Sequence, residues 1–192
     1  MKKIIYVGIL AAIGLVAPAV SAPIVSTKTL QVSWAGVVPV SPISTGEWRF
    51  VSLADPSMDF VPTMGMIHIS PLAMDGSHGL QTTDIAFGIK SKLGAVFTDT
   101  SKVTAYLASS VGFLGLNPTA ASADPVMTLS ANGTTLGIGS SAAVEIASIS
   151  GSSTDFIPIT LNGKGSLPAK SFTAGDNFAA HATVMLTASV GS

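Results

Sequence analysis

The sequence predicts an all-β sandwich, and three observations carry that prediction. Past residue 22 the apolar residues recur mostly at every second position, the period of a strand with one buried face. Gly, Pro, Asn and Asp interrupt them about every ten residues, which is the spacing of short strands joined by turns. No stretch keeps a capped i, i+3, i+4, i+7 apolar pattern over three helical turns.

Composition narrows the function. The 192 residues suffice for one domain or at most two small ones, and 47% hydrophobic content can build a core. Only 10% of residues are charged, against about 25% in ordinary globular chains. Nine Lys and Arg against ten Asp and Glu leave no basic footprint for phosphates, which argues against nucleic-acid binding. The absence of cysteine excludes disulfides, thiol catalysis and Cys-ligated zinc.

Taken in order, Met1-Lys2-Lys3 followed by the apolar run Ile4 to Val16 and then small residues predicts a secretory signal peptide over residues 1–22. The apolar run is shorter than the roughly 20 residues of a membrane span. Cleavage fits after Ala22, with Pro23 next, or after Ala19. Loss of Lys2 and Lys3 leaves seven basic side chains against ten acidic ones, net −3.

Leu30, Val32 and Trp34 alternate with Gln31 and Ser33, and Pro39 and Pro42 then stop sheet pairing. Met66, His68 and Ser70 alternate with Ile67, Ile69 and Pro71, and Ile85, Phe87 and Ile89 alternate with Ala86, Gly88 and Lys90. Thr100 to Gly112 can hold a short helix. Leu129 to Leu136 predicts a hairpin, because Asn132-Gly133 accepts the positive φ angles of a type I′ turn. A second Asn-Gly at Asn162-Gly163 marks a turn after Phe156 to Leu161. Thr119 to Asp124 and Ser148 to Thr154 are small-residue surface loops. At the C-terminus Phe178, Ala180, Ala182, Val184, Leu186, Ala188 and Val190 share one parity of a long strand.

Catalytic chemistry is hard to find. His68, His78 and His181 lie in no HExxH motif or EF-hand loop, and two of them sit on the outer faces of strands. Asp75 to Gly79 is the most polar loop, and it and Trp48 are the candidate surface contacts. Gly137-Ile138-Gly139-Ser140-Ser141-Ala142 matches a dinucleotide-binding string but follows a hairpin without a βαβ unit, so it is a glycine-rich turn. No catalytic residue, metal or cofactor is expected, and a secreted enzyme is the least supported class.

The run Leu30-Gln31-Val32-Ser33-Trp34-Ala35-Gly36-Val37-Val38-Pro39 is the most specific feature. With Glu47-Trp48-Arg49-Phe50-Val51, the Phe60-Val61-Pro62 segment, Leu161-Asn162-Gly163, Asn177-Phe178 and the final apolar strand, it resembles the cysteine-free major pilins of coli-surface-antigen fimbriae, chaperone–usher pili of enterotoxigenic enteric bacteria. The resemblance spans most of the chain past residue 22 and is specific mainly in its first 40 residues. The closing Ala188-Ser189-Val190-Gly191-Ser192 departs from that family's pattern.

The resemblance implies an incomplete immunoglobulin-like sandwich, residues 40–192, completed by a donor strand from a neighbouring subunit. Residues 23–39 would be the N-terminal extension, with Leu30, Val32, Trp34, Gly36 and Val38 filling the neighbour's groove by β-strand addition. Val184, Leu186, Ala188 and Val190 would wall that groove and pair with a periplasmic chaperone. The implied function is the structural major subunit of an adhesive cell-surface fimbrium, a homopolymer exported through the periplasm and an outer-membrane usher and carrying a tip adhesin. The alternative is an adhesin or minor subunit that itself binds host glycan or protein receptors. Four buried apolar donor side chains would contribute about 6–12 kcal/mol, against a whole-domain stability of about 5–15 kcal/mol.

Overall fold

The strand that alternates most strictly in sequence forms the middle of the core. In β5 (Ile85–Ser91), Ile85, Phe87 and Ile89 are buried. β5 is flanked by β2 (Trp48–Val51) and β11 (Phe156–Leu167), whose own buried residues meet the same layer. The structure, a computed structural model, describes residues 24–33, 47–70, 73–74, 76–92, 95–116, 124–171 and 177–190. The predicted leader with Ala19, Ala22 and Pro23 lies outside them, as do Trp34, Gly36, Val38 and Asp75.

The described strands form two curled antiparallel sheets, consistent with a β sandwich, and no α-helix occurs among the described residues. One sheet runs β1 (Ile24–Ser33), β12 (Ala179–Val190), β6 (Lys102–Leu107) and β10 (Val144–Ser148), with β7 (Gly112–Leu114) also paired to β12. The other runs β2, β5, β11, β4 (His78–Thr82) and β3 (Ile67–Ile69). β8 (Val126–Ala131) pairs with β11 and with the short β9 (Thr134–Thr135). One hydrophobic cluster draws on both sheets: Phe87, Ile89, Leu129 and Ile159 from one, Val103, Ala105, Val184 and Leu186 from the other. Trp48 packs edge-on to Phe50 at 5.3 Å between ring centres, and Phe50 edge-on to Phe87 at 5.5 Å, an arrangement that suits the ring quadrupoles.

The hairpin at Asn132-Gly133 forms as expected, with φ angles of 47° and 80°. Gly137 to Ala142 is a turn closed by a 3-10 segment at Ser140–Ala142. Three expectations need correction. Asn162-Gly163 makes no turn, because β11 runs straight through it, pairing with β5 up to Leu161 and with β4 and β8 beyond. Gly163 serves close approach instead: a Cβ there would meet the side chains of Met127 and Leu129, and its N–H donates to Thr82 Oγ1 at 2.7 Å. Thr100 to Gly112 holds β6 rather than a helix, because Val103, Ala105 and Leu107 alternate inward at strand spacing. Trp48 is no surface contact, since its side chain is wholly buried.

Candidate functional site

β12, twelve residues long like β11, alternates buried and outward positions along most of its length. Ala180, Ala182, Val184, Leu186 and Ala188 are buried, while His181 is exposed and Thr183, Met185, Thr187 and Ser189 are half-buried. The buried row is mostly small. β6 occupies one edge of β12 from Val184 to Ala188. β7 takes the same strand earlier, from Ala179 to His181.

β1 occupies the other edge. It pairs antiparallel with β12 without a register break from Ile24↔Val190 to Ser33↔His181. Leu30 stands opposite Val184 and Val32 opposite Ala182, so the sequence-predicted donor positions and groove positions share one ladder within this chain. Leu186 stands opposite Lys28, Ala188 opposite Ser26 and Val190 opposite Ile24. β1 is terminal in its sheet, and β12 is the strand with which it pairs. The Ser26 hydroxyl is buried without a hydrogen-bond partner, an arrangement that costs roughly 1–3 kcal/mol.

No protein-family model, curated protein or solved structure matches this chain. His181 lies over Gly112 in the adjoining strand, where its imidazole occupies the space that a side chain would fill. His68 is exposed on β3, and His78 Nδ1 is 2.8 Å from the Ser70 carbonyl oxygen. Among the described residues no three His, Asp or Glu gather so as to hold a metal ion.

The ion pairs are peripheral. Arg49 donates to Asp59 at 2.6 Å and to the Ser57 carbonyl at 3.1 Å, Lys90 lies 3.4 Å from Asp155, and Lys102 lies 2.9 Å from Glu145. The hydrogen bond from Lys102 holds the Glu145 carboxyl below its usual range, and hydrogen bonds from Ser57 do the same for Asp55. Next to the Arg49 pair, Leu53, Ala54, Met58, Phe60, Val61 and Ala86, together with the polar Ser52, Asp59 and Thr63, line a mainly apolar concavity of about 370 Å³. The concavity had no signal in the sequence, because its lining comes from an irregular connection and one outward position of β5.

Proposed function

We propose that this chain is the repeating structural subunit of an adhesive surface fibre, built by donor-strand exchange after chaperone-assisted folding. In this reading the body is an incomplete immunoglobulin-like sandwich whose open edge is β12. The observation that carries it is the place of β1, a ten-residue terminal strand laddered to the edge of β12 and separated from β2 by residues 34–47. Such a strand can leave its own sheet and be replaced by the same strand of another copy, a heterologous contact that propagates into a filament.

The register supports exchange over permanent self-pairing. Within the chain, Ser26 and Lys28 stand opposite the buried Ala188 and Leu186, a poor match of polar to apolar positions. A donor strand from another copy is free of that tether. Sliding it by four positions sets Leu30 against Ala188, Val32 against Leu186, Trp34 against Val184, Gly36 against Ala182 and Val38 against Ala180. Pro39 then falls opposite Ala179, the first residue of β12, where a residue without an N–H ends the ladder at little cost. The intrachain pairing is in this view a resting state of the free subunit.

The test compares the chain from residue 23 onward with a permuted form in which residues 24–39 follow residue 190 through a short flexible linker. The antiparallel register leaves Ile24 beside Val190, so a hairpin linker spans the junction. The intact subunit is expected to form a ladder of polymers on native gels, and the permuted form to stay monomeric with a raised urea midpoint. A monomer in both forms with equal midpoints would refute the fibre reading.

A further inference from the structure

Methionine is ordinarily a core residue, a flexible thioether that fills gaps away from water. Here four of the chain's seven methionines lie between residues 58 and 74, all exposed. Met58 is 61% exposed, Met64 57% and Met66 64%, and Met74 is fully exposed. Met127, by contrast, is 9% exposed in the core, and Met185 is half-buried on β12. The four exposed residues share one connection, from β2 to β4, which also exposes Leu53 and Val61.

This connection is held by its backbone and by other side chains. Ser52 N–H donates to the Met58 carbonyl at 2.9 Å, and Met58 N–H to the Asp55 carbonyl at 3.0 Å. Met66 N–H donates to Thr83 Oγ1 at 2.9 Å, and Thr83 N–H returns a bond to the Met66 carbonyl at 2.9 Å. Phe60 and Ile67 anchor the connection to the core. The exposed thioethers are therefore accessible without unfolding.

We propose that Met58, Met64, Met66 and Met74 form a reversible oxidation site that switches the surface of this connection from apolar to polar in response to hydroperoxides. A sulfur lone pair attacks the distal oxygen of the hydroperoxide, the S–O bond forms as the O–O bond breaks, and with hydrogen peroxide the leaving oxygen departs as water. Sulfur is oxidised by two electrons, the peroxide is reduced, and the sulfoxide adds a strong acceptor without adding charge. At Met58 that acceptor stands on the lining of the apolar concavity.

The experiment treats the folded chain from residue 23 onward with hydrogen peroxide and quantifies sulfoxide at each methionine by peptide mass spectrometry. The four exposed positions should reach half conversion at least about ten-fold sooner than Met127. Retention on a hydrophobic-interaction column should fall while the urea midpoint holds, and methionine sulfoxide reductases supplied with a dithiol should restore the retention, the sulfoxide oxygen leaving as water as the dithiol is oxidised to a disulfide. A variant carrying M58L, M64L, M66L and M74L should keep its retention through the same treatment. Conversion of Met127 within about two-fold of the others would overturn the site assignment. Unchanged retention at full conversion, loss of fold on oxidation, or failure of the reductases to restore retention would overturn the switch.

Discussion

Asn132 shows how one residue can serve two levels of structure. Its φ of 47° suits a side chain that tolerates the left-handed region, and Gly133 follows at 80°. Its amide then ties the hairpin to two other strands. Nδ2 donates to the Ile146 and Pro158 carbonyls, each at 3.2 Å, and Oδ1 accepts from Thr160 N–H at 2.8 Å. Asn132→Asp keeps the shape and the φ tolerance but turns the donor into an oxygen facing two carbonyls. We expect a loss of about 1–2 kcal/mol, because the site is partly exposed and water can relieve some of the mismatch. Asn132→Gly should keep the turn and lose less. Urea midpoints of the parent and the two variants check this, and an Asn132→Asp variant as stable as the parent would show that the amide contributes only to the turn.

At the scale of the element, β10 closes the far edge of the β12 sheet and depends on polar contacts more than the interior strands do. It pairs with β6 through a register break between Glu145 and Ala147, and Ile146 is its only buried side chain among Val144 to Ser148. The Lys102–Glu145 pair crosses that edge. The folded state lowers the Glu145 carboxyl below its unfolded value, so the pair contributes stability above about pH 4.5, and that contribution disappears as pH falls through the folded-state value. Glu145→Gln should therefore unfold at a slightly lower midpoint than the parent at pH 7, the difference vanishing once the pH is below the folded-state value. A difference that persists at the acid end would assign the effect to packing.

Strands with one strict apolar face were legible in advance. β5 buries Ile85, Phe87 and Ile89, β12 buries Ala180, Ala182, Val184, Leu186 and Ala188 of the row its parity nominates, and the Asn132-Gly133 turn sits where its φ preference puts it. The misses have a common physical cause, which is that a local signal was outvoted by tertiary contacts. Asn162-Gly163 carries the same dipeptide as the hairpin, yet β4, β5 and β8 hold β11 extended through it, and a side chain in place of Gly163 would displace the ends of Met127 and Leu129. β6 carries residues that also suit a helix, and pairing with β10 and β12 makes it a strand. The candidate site was legible as two alternating strands. The registration of Leu30 with Val184 within one chain was not, because parity fixes which face a strand shows and says nothing of which copy it joins.

For the molecule as a whole, the question is what remains when β1 is removed. β12 would then become an edge strand, exposing the backbone groups now paired from Ser33 to Ile24 and one side of the row from Ala182 to Ala188. Under the exchange proposed above, Leu30, Val32, Trp34 and Val38 would contribute about 6–12 kcal/mol by area, close to the entire stability of a typical domain. A chain that begins at residue 40 should accordingly be marginal, bind hydrophobic dyes and unfold at low urea. Added peptide of residues 24–39 should restore a cooperative transition whose midpoint rises with peptide concentration, as mass action requires of a ligand that binds only the folded state. The same peptide with Val32→Asp should fail, because the carboxylate would enter an apolar row with no partner. If the truncated chain matched the intact one without peptide, β1 would be an ornament on a closed sandwich, and the exchange of strands between copies would have no energetic basis.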